Sequence, residues 1–265
     1  MSKLIAIINI TPDSFSDGGT FDSLAKIRQH IDDVITSGAD ILDIGAESTR
    51  PGAIPLSADE EWQRLEALLP AIITQAHQHH VKVSLDTRHG TTANNALNAG
   101  VDWINDVSGL TDPIMINVLK TSECNIVMMH NLGIPANKNL TIPISDNPVE
   151  VVYQWALHQL EQLEECGIKR ERIILDPGIG FGKTAEQSLT LLQHIDRFHA
   201  LNVPLLVGHS RKSFLQDFTS NTPSDRDIET VTTSLYLSEK KVDYLRVHNI
   251  AAHHNAFHLQ HALRG

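Results

Sequence analysis

Ile173-Ile174-Leu175-Asp176-Pro177-Gly178-Ile179-Gly180-Phe181-Gly182-Lys183-Thr184 is an apolar run that ends in a carboxylate, turns on a proline and three glycines, and closes on a lysine. A short continuous apolar run bounded by turn residues, with a helical pattern over 185–199 behind it, reads as a buried parallel strand entering a βα loop. Asp176 then stands at the strand's carboxyl end, where α/β proteins bind ligands. Two roles are open to it there. It recognises a ligand, or it caps the turn through an Asx bond, as Asp before Pro often does.

The same alternation continues on both sides of this stretch. Strands are predicted at 4–10, 40–45, 81–85, 102–107, 125–129, 203–207 and 244–248. Helical spacing fills 23–37, 91–99, 149–166 and 251–263, Asp112-Pro113 opens a helix to about 121, and Ser224–Asp227 caps one to about 238. Ser57-Ala58-Asp59-Glu60 is a capping box for a long helix through about Gln78, whose last turn carries His77, His79 and His80. Acids first and histidines last suit the helix dipole, so these histidines read as a helix terminus rather than a metal site. Gly38, Gly100 and Gly167 each close a helix and release the chain into the next strand. Eight strands each followed by a helix imply an eight-stranded parallel (β/α)8 barrel, a TIM barrel, as a single domain over 1–265. The alternative, an open doubly wound sheet, lacks a GxGxxG after its first strand.

Composition agrees with one large domain. The 265 residues match a β/α barrel in length, and 41% of them are apolar. With 21 basic and 32 acidic residues the formal net charge is −11, which repels nucleic acid and anionic membranes as partners. A small anionic substrate remains open to it if cations gather in one cleft. Cys124 and Cys166 form no CxxC pair and read as reduced residues. No signal pattern or membrane-length apolar stretch is present in the sequence, so the expected location is the cytoplasm.

In such a barrel the polar residues at strand ends meet on one rim: Asn9, Thr49, Arg50, Asp86, Asn105, His130, Asp176, Lys183, Ser210, Arg211, Lys212, Arg246 and His248. Arg50, Lys183, Arg211, Lys212, Arg246 and His248 form a basic group suited to phosphates. Asn9, Asp86, Asn105 and Asp176 form an amide-carboxylate group suited to the donor edge of a heterocycle. For Arg211 a structural role and substrate contact are equally open. The loop over 11–19, rich in Gly, Ser and Asp, is long enough to be functional.

These residues lie within stretches that carry a resemblance. Asn9 to Gly19 (NITPDSFSDGG), Glu47 to Ala53 (ESTRPGA), Ser84 to Thr87 (SLDT), Asn105 to Gly109 (NDVSG), Leu175 to Lys183 (LDPGIGFGK), Ser210 to Ser213 (SRKS) and Arg246 to His248 (RVH) resemble, in order, those of the dihydropteroate synthases. The resemblance implies a β/α barrel and a reaction of folate biosynthesis. In it 6-hydroxymethyl-7,8-dihydropterin pyrophosphate condenses with p-aminobenzoate, with Mg²⁺, to give dihydropteroate and pyrophosphate. It assigns the pterin ring to Asp86, Asn105, Asp176 and Lys212. Pyrophosphate falls to Asn9, Arg50, Arg246 and His248, with Asn9 also near Mg²⁺. p-Aminobenzoate falls to Phe15, Thr49, Pro51, Phe181, Lys212 and Ser213. Asp86, Lys212 and Arg246 are the implied catalytic residues, and a homodimer formed through barrel helices is the implied assembly. Sulfonamides, which share the shape and charge of p-aminobenzoate, are the implied competitive inhibitors.

The chain departs from the family pattern in four places: few residues precede the first strand, His130-Asn131-Leu132-Gly133 replaces the usual run after that histidine, and His209 and Asn249 stand where other residues are commoner. Altered affinities, not a different reaction, are the expectation. Two rival functions share the fold, a methyltetrahydrofolate-dependent methyltransferase and a pterin-binding paralogue without turnover. The SRKS and TPDSFSDGG stretches count against the first, and the filled catalytic positions against the second. A Schiff-base aldolase would need an inward strand lysine, and Lys82 stands at a strand's beginning.

Overall fold

The computed structural model describes residues 1–10, 19–48, 52–137, 139–219 and 222–264, with side chains of the first helix described from residue 25 onward. Its strands are β1 (Lys3–Asn9), β2 (Ile41–Gly45), β3 (Lys82–Asp86), β4 (Trp103–Asp106), β5 (Asn125–Met129), β6 (Ile173–Asp176), β7 (Leu206–Val207) and β8 (Tyr244–Val247). All pair in parallel in chain order from β1 to β6, and β1 also pairs with β8, which pairs with β7. One further parallel bridge, Leu175 to Leu205, joins β6 to β7 and brings the ring nearly to closure. The ladder is short there because Pro204 has no N–H to donate; its carbonyl still accepts from Leu175 N at 2.9 Å.

Nine helices are described around the ring: α1 (Gly19–Thr36), α2 (Ala58–Leu65), α3 (Leu69–Gln78), α4 (Gly90–Ala99), α5 (Pro113–Lys120), α6 (Pro148–Glu165), α7 (Ala185–Gln193), α8 (Asp227–Glu239) and α9 (Ile250–Arg264). Two expectations about them fail for physical reasons. The helix expected from Ser57 through Gln78 begins on the predicted capping box but divides into α2 and α3. Pro70 lacks the N–H that would bond the Glu66 carbonyl, and its ring crowds that carbonyl, so the break falls just before it. The pattern over 185–199 is α-helical only to Gln193, then tightens into a 3₁₀ segment, Ile195–Leu201. Residues three apart eclipse in that geometry, which puts the buried Ile195, Phe198 and Leu201 on one face.

Gly38, Gly100 and Gly167 do take the left-handed conformation at helix ends. The next residue in each case, Ala39, Val101 or Ile168, donates its N–H back to Val34, Ala96 or Leu163. His80 and Lys241 end α3 and α8 in the same way, at φ 59° and 60°, which the residue type does not advertise.

The main core lies between the outer faces of the strands and the helices. Inside the ring there is a much smaller apolar cluster of Ile5, Ile41, Trp103, Val127, Ile174 and Leu206, with Tyr244 packed on it. Trp103 and Tyr244, first residues of β4 and β8, meet edge to face with ring centroids 5.0 Å apart. They close the floor of the barrel from within. Above this plug the inward positions turn polar.

Candidate active site

Successive strand residues face alternately in and out, so the inward set is fixed by register. Asn9, Gly45, Asp86 and Asn105 are register partners across β1 to β4 and form one row at the carboxyl end of the ring. Asp176 ends β6, Arg246 is the third residue of β8, and Gly208 follows β7. Two of these inward positions carry no side chain. A Cβ at Gly45 would lie 3.8 Å from Asp86 Oδ2 and 3.9 Å from Asn9 Oδ1. One at Gly208 would lie 3.6 Å from Asp176 Oδ2 and 3.9 Å from Lys212 Nζ. Glycines facing into a ring of polar groups leave the space a ligand needs.

Arg246 holds the centre. Its Nε donates to Asp43 Oδ2 at 2.5 Å and its Nη2 to Asp86 Oδ2 at 2.7 Å. Asn105 Nδ2 donates to the same Asp43 oxygen at 3.0 Å. Asp43 is 1% exposed, whereas the Arg246 and Asp86 side chains keep 20% and 15%, so the pair opens toward the mouth from an anchored base. Burial raises the Asp86 carboxyl to about 7, against the pull of Arg246. The Arg246 guanidinium is held firmly charged by the carboxylates around it, which outweigh its burial. Arg246 therefore sits among the acids and not apart from them in a basic group.

On the opposite wall Asp176 Oδ1 accepts the Gly178 N–H at 2.7 Å, while Oδ2 faces the space over Gly208. The Asx turn and an aimed carboxylate thus coexist in one residue. Burial raises its pKa, and Lys212 is the first of the groups that oppose this. Lys212 Nζ donates to Ile179 O at 2.5 Å and stands 4.7 Å from the Phe181 ring centroid. Its desolvation lowers it to about 8. Ser210 Oγ and His248 Nδ1 lie 2.9 Å apart, and the His248 N–H reaches the same hydroxyl at 3.3 Å, which joins the loops after β7 and β8. Ser213 is exposed at the start of the 3₁₀ segment Ser213–Phe218.

Other rim residues are committed elsewhere. Arg211 makes a fork to Asp227, at 2.8 and 3.1 Å, and Asn249 Nδ2 donates to that carboxylate at 2.7 Å. The structural alternative for Arg211 is the one realised. His209 is fully buried against α8, bonded to Ser234 Oγ at 2.8 Å. Lys183 is buried beneath the turn, bonded to His130 and Phe181. Of the residues after His130, Asn131 bonds the Val107 carbonyl and Leu132 packs against Gly182. Phe15, Thr49, Arg50 and Pro51 lie outside the described residues. Asp43 is the residue that sequence reasoning passed over. A carboxylate inside the otherwise apolar Ile41-Leu42-Asp43-Ile44 was the available signal, since a buried acid needs a partner.

A family model described as "Pterin binding enzyme" matches residues 5–248. A dihydropteroate synthase of Synechocystis sp. is 39% identical over 251 residues, 94% of this chain and 86% of that protein. A probable bifunctional folylpolyglutamate synthase/dihydropteroate synthase of Halobacterium salinarum is 38% identical over 99% of this chain, which spans only 32% of that longer protein. Among solved structures, dihydropteroate synthase from Anaplasma phagocytophilum with bound 6-hydroxymethylpterin-monophosphate superposes with a TM-score of 0.90, at 37% identity and 99% coverage of both chains.

Proposed function

The chain belongs to the pterin-binding enzyme family and is an enzyme of the dihydropteroate synthase kind; from that premise we propose how its mouth joins a dihydropterin pyrophosphate to p-aminobenzoate. The observation that carries the reading is the convergence of Asn9 and Asp86 on one side-chain-free space, and of Asp176, Lys212 and Arg246 on another, at the carboxyl end of the ring above its apolar floor.

Asp176 Oδ2 and the Asn105 amide take the donor edge of the pterin, and Lys212 lies against it from the side of Gly208. Arg246, His248 and Asn9, with Arg50 by the family resemblance, are assigned to the pyrophosphate. As the methylene carbon–oxygen bond breaks, the electron pair leaves with pyrophosphate and positive charge spreads from the methylene into the ring. Asp86 is placed to stabilise that charge. Burial pushes its carboxyl up to about 7, and a nearby cation lowers a carboxyl pKa, so the developing charge favours its ionised form. p-Aminobenzoate, held among Phe15, Thr49, Pro51, Phe181, Lys212 and Ser213, then attacks through its amine, forms the carbon–nitrogen bond and releases a proton. No protein nucleophile is needed.

Asn9 and Asp86 fit a hard cation, because their oxygens flank the space over Gly45. When bound, Mg²⁺ supplies charge neutralisation of the leaving group. The exposed Leu259 and Leu263, four residues apart on one side of α9, would contribute an apolar contact to a homodimer, checked by molar mass in solution. No described helix is long and apolar enough to cross a membrane, and both cysteines are free, in keeping with a cytoplasmic enzyme.

The test is pyrophosphate release with both substrates and Mg²⁺, with each omitted in turn. Release that requires p-aminobenzoate, and that sulfonamides inhibit in competition with it, is expected. Tight pterin binding without release would favour a non-catalytic paralogue, and methyl transfer from methyltetrahydrofolate would favour the methyltransferase.

A further inference from the structure

We propose that Lys183 is a positioning residue for the arylamine side of the mouth: its buried ammonium clasps the end of β5 to the turn over 177–183 and so sets that turn against Lys212. The proposal rests on the reading above that p-aminobenzoate lies beside Phe181 and Lys212.

Lys183 is 7% exposed, and its Nζ lies 2.8 Å from His130 Nδ1 and 2.8 Å from the Phe181 carbonyl. An ammonium has only donors, so Nδ1 is the acceptor and the imidazole is neutral. Its surroundings agree, since burial and the neighbouring Lys183 hold His130 down to about 3. His130 is itself fixed: its N–H bonds the Asp176 carbonyl at 3.0 Å and its ring meets Trp155 edge-on at 4.9 Å. The turn closes tightly on this pair. Gly178 and Gly182 have φ of 68° and 63°. A Cβ on Gly178 would penetrate the His130 carbonyl, and one on Gly182 would meet Leu132 Cβ at 2.6 Å. The far side of the same turn supplies two groups that touch the Lys212 ammonium, the Ile179 carbonyl and the Phe181 ring.

Stability alone gives no reason for a lysine here. Desolvation pushes its pKa down to about 7, the mark of a cation that folding disfavours. An unbranched apolar side chain of similar length would fill the space without that penalty. What it would lack is the pair of directed bonds that fixes where Phe181 points.

The experiment compares wild type with Lys183→Met by steady-state kinetics, thermal unfolding and amide hydrogen exchange. The expected result is an unchanged or higher Tm together with a KM for p-aminobenzoate raised about tenfold, the pterin pyrophosphate KM within about twofold and kcat within about threefold. Amides of 178–182 should exchange faster. An arylamine KM within about twofold of wild type, or an equal rise in both KM values, overturns the proposal. Should Lys183→Met fail to fold, His130→Met removes the acceptor and His130→Gln restores one. The arylamine KM must rise in the first and recover in the second, or the clasp is wrong. If wild type itself releases no pyrophosphate, the reaction reading fails separately, and unaltered exchange at 178–182 in Lys183→Met then overturns the clasp independently.

Discussion

At Asp176 one carboxylate serves two purposes that the sequence presents as alternatives. Oδ1 is occupied by the Gly178 N–H, and this fixes the rotamer that aims Oδ2 over Gly208. An acid whose one oxygen is anchored by its own backbone reaches a ligand without first losing rotamer freedom. Asp176→Asn keeps an acceptor for Gly178 but removes the charge. Pterin binding should weaken by roughly 1.5–3 kcal/mol, or at least about tenfold in Kd, with the fold intact. Calorimetry with the pterin substrate checks this, and an unchanged Kd would take the heterocycle away from Asp176. Asp43 was the residue hardest to assign in advance. Nothing in a five-residue, otherwise apolar strand says which buried cation its acid will meet, and the partner, Arg246, is 203 residues away.

Among the elements, the turn after β6 carries the tightest constraint. Gly178 and Gly52 both have positive φ, 68° and 82°, but a Cβ on Gly52 would meet none of the described residues within 4 Å. Gly52→Ala should therefore cost only the left-handed strain of about 1–2 kcal/mol. Gly178→Ala adds a collision with the His130 backbone, so its loss should be clearly larger and should also lower activity, because the Asp176 Asx bond shifts with it. Urea unfolding of both variants decides; equal losses would mean that the turn yields. Helix ends were legible where they depend on local chemistry, as at the Ser57 box and at Gly38, Gly100 and Gly167. They were illegible at His80 and Lys241, where packing of the following valine imposes a conformation the residue does not prefer.

For the whole molecule, the polar mouth makes stability depend on pH in a direction its groups specify. Lys183 and Lys212 have folded pKa values lowered to about 7 and about 8. Between those values and the ordinary lysine range the unfolded chain binds more protons, so these two contributions make stability rise with pH there. The Lys183 share should disappear in Lys183→Met, giving a smaller change in unfolding free energy between pH 7.5 and 9.5 than wild type. An identical pH slope would show that the amine is not desolvated. Asp86 and Glu61, both raised to about 7 chiefly by burial, act oppositely below neutrality, where the folded chain holds the extra protons and stability falls as pH rises. By itself the amino-acid order determined the eight βα units, their parallel arrangement and the rim on which the polar residues gather, because hydrophobic period, caps and turn residues act over a few neighbours. Tertiary structure alone decided that Arg246 lies between Asp43 and Asp86, that Arg211 pairs with Asp227 and Lys183 is buried against His130, and that Trp103 and Tyr244 form the floor. Each of these is a contact between residues distant in the chain, and only ring closure sets the distances and the desolvation that give a buried charge its partner.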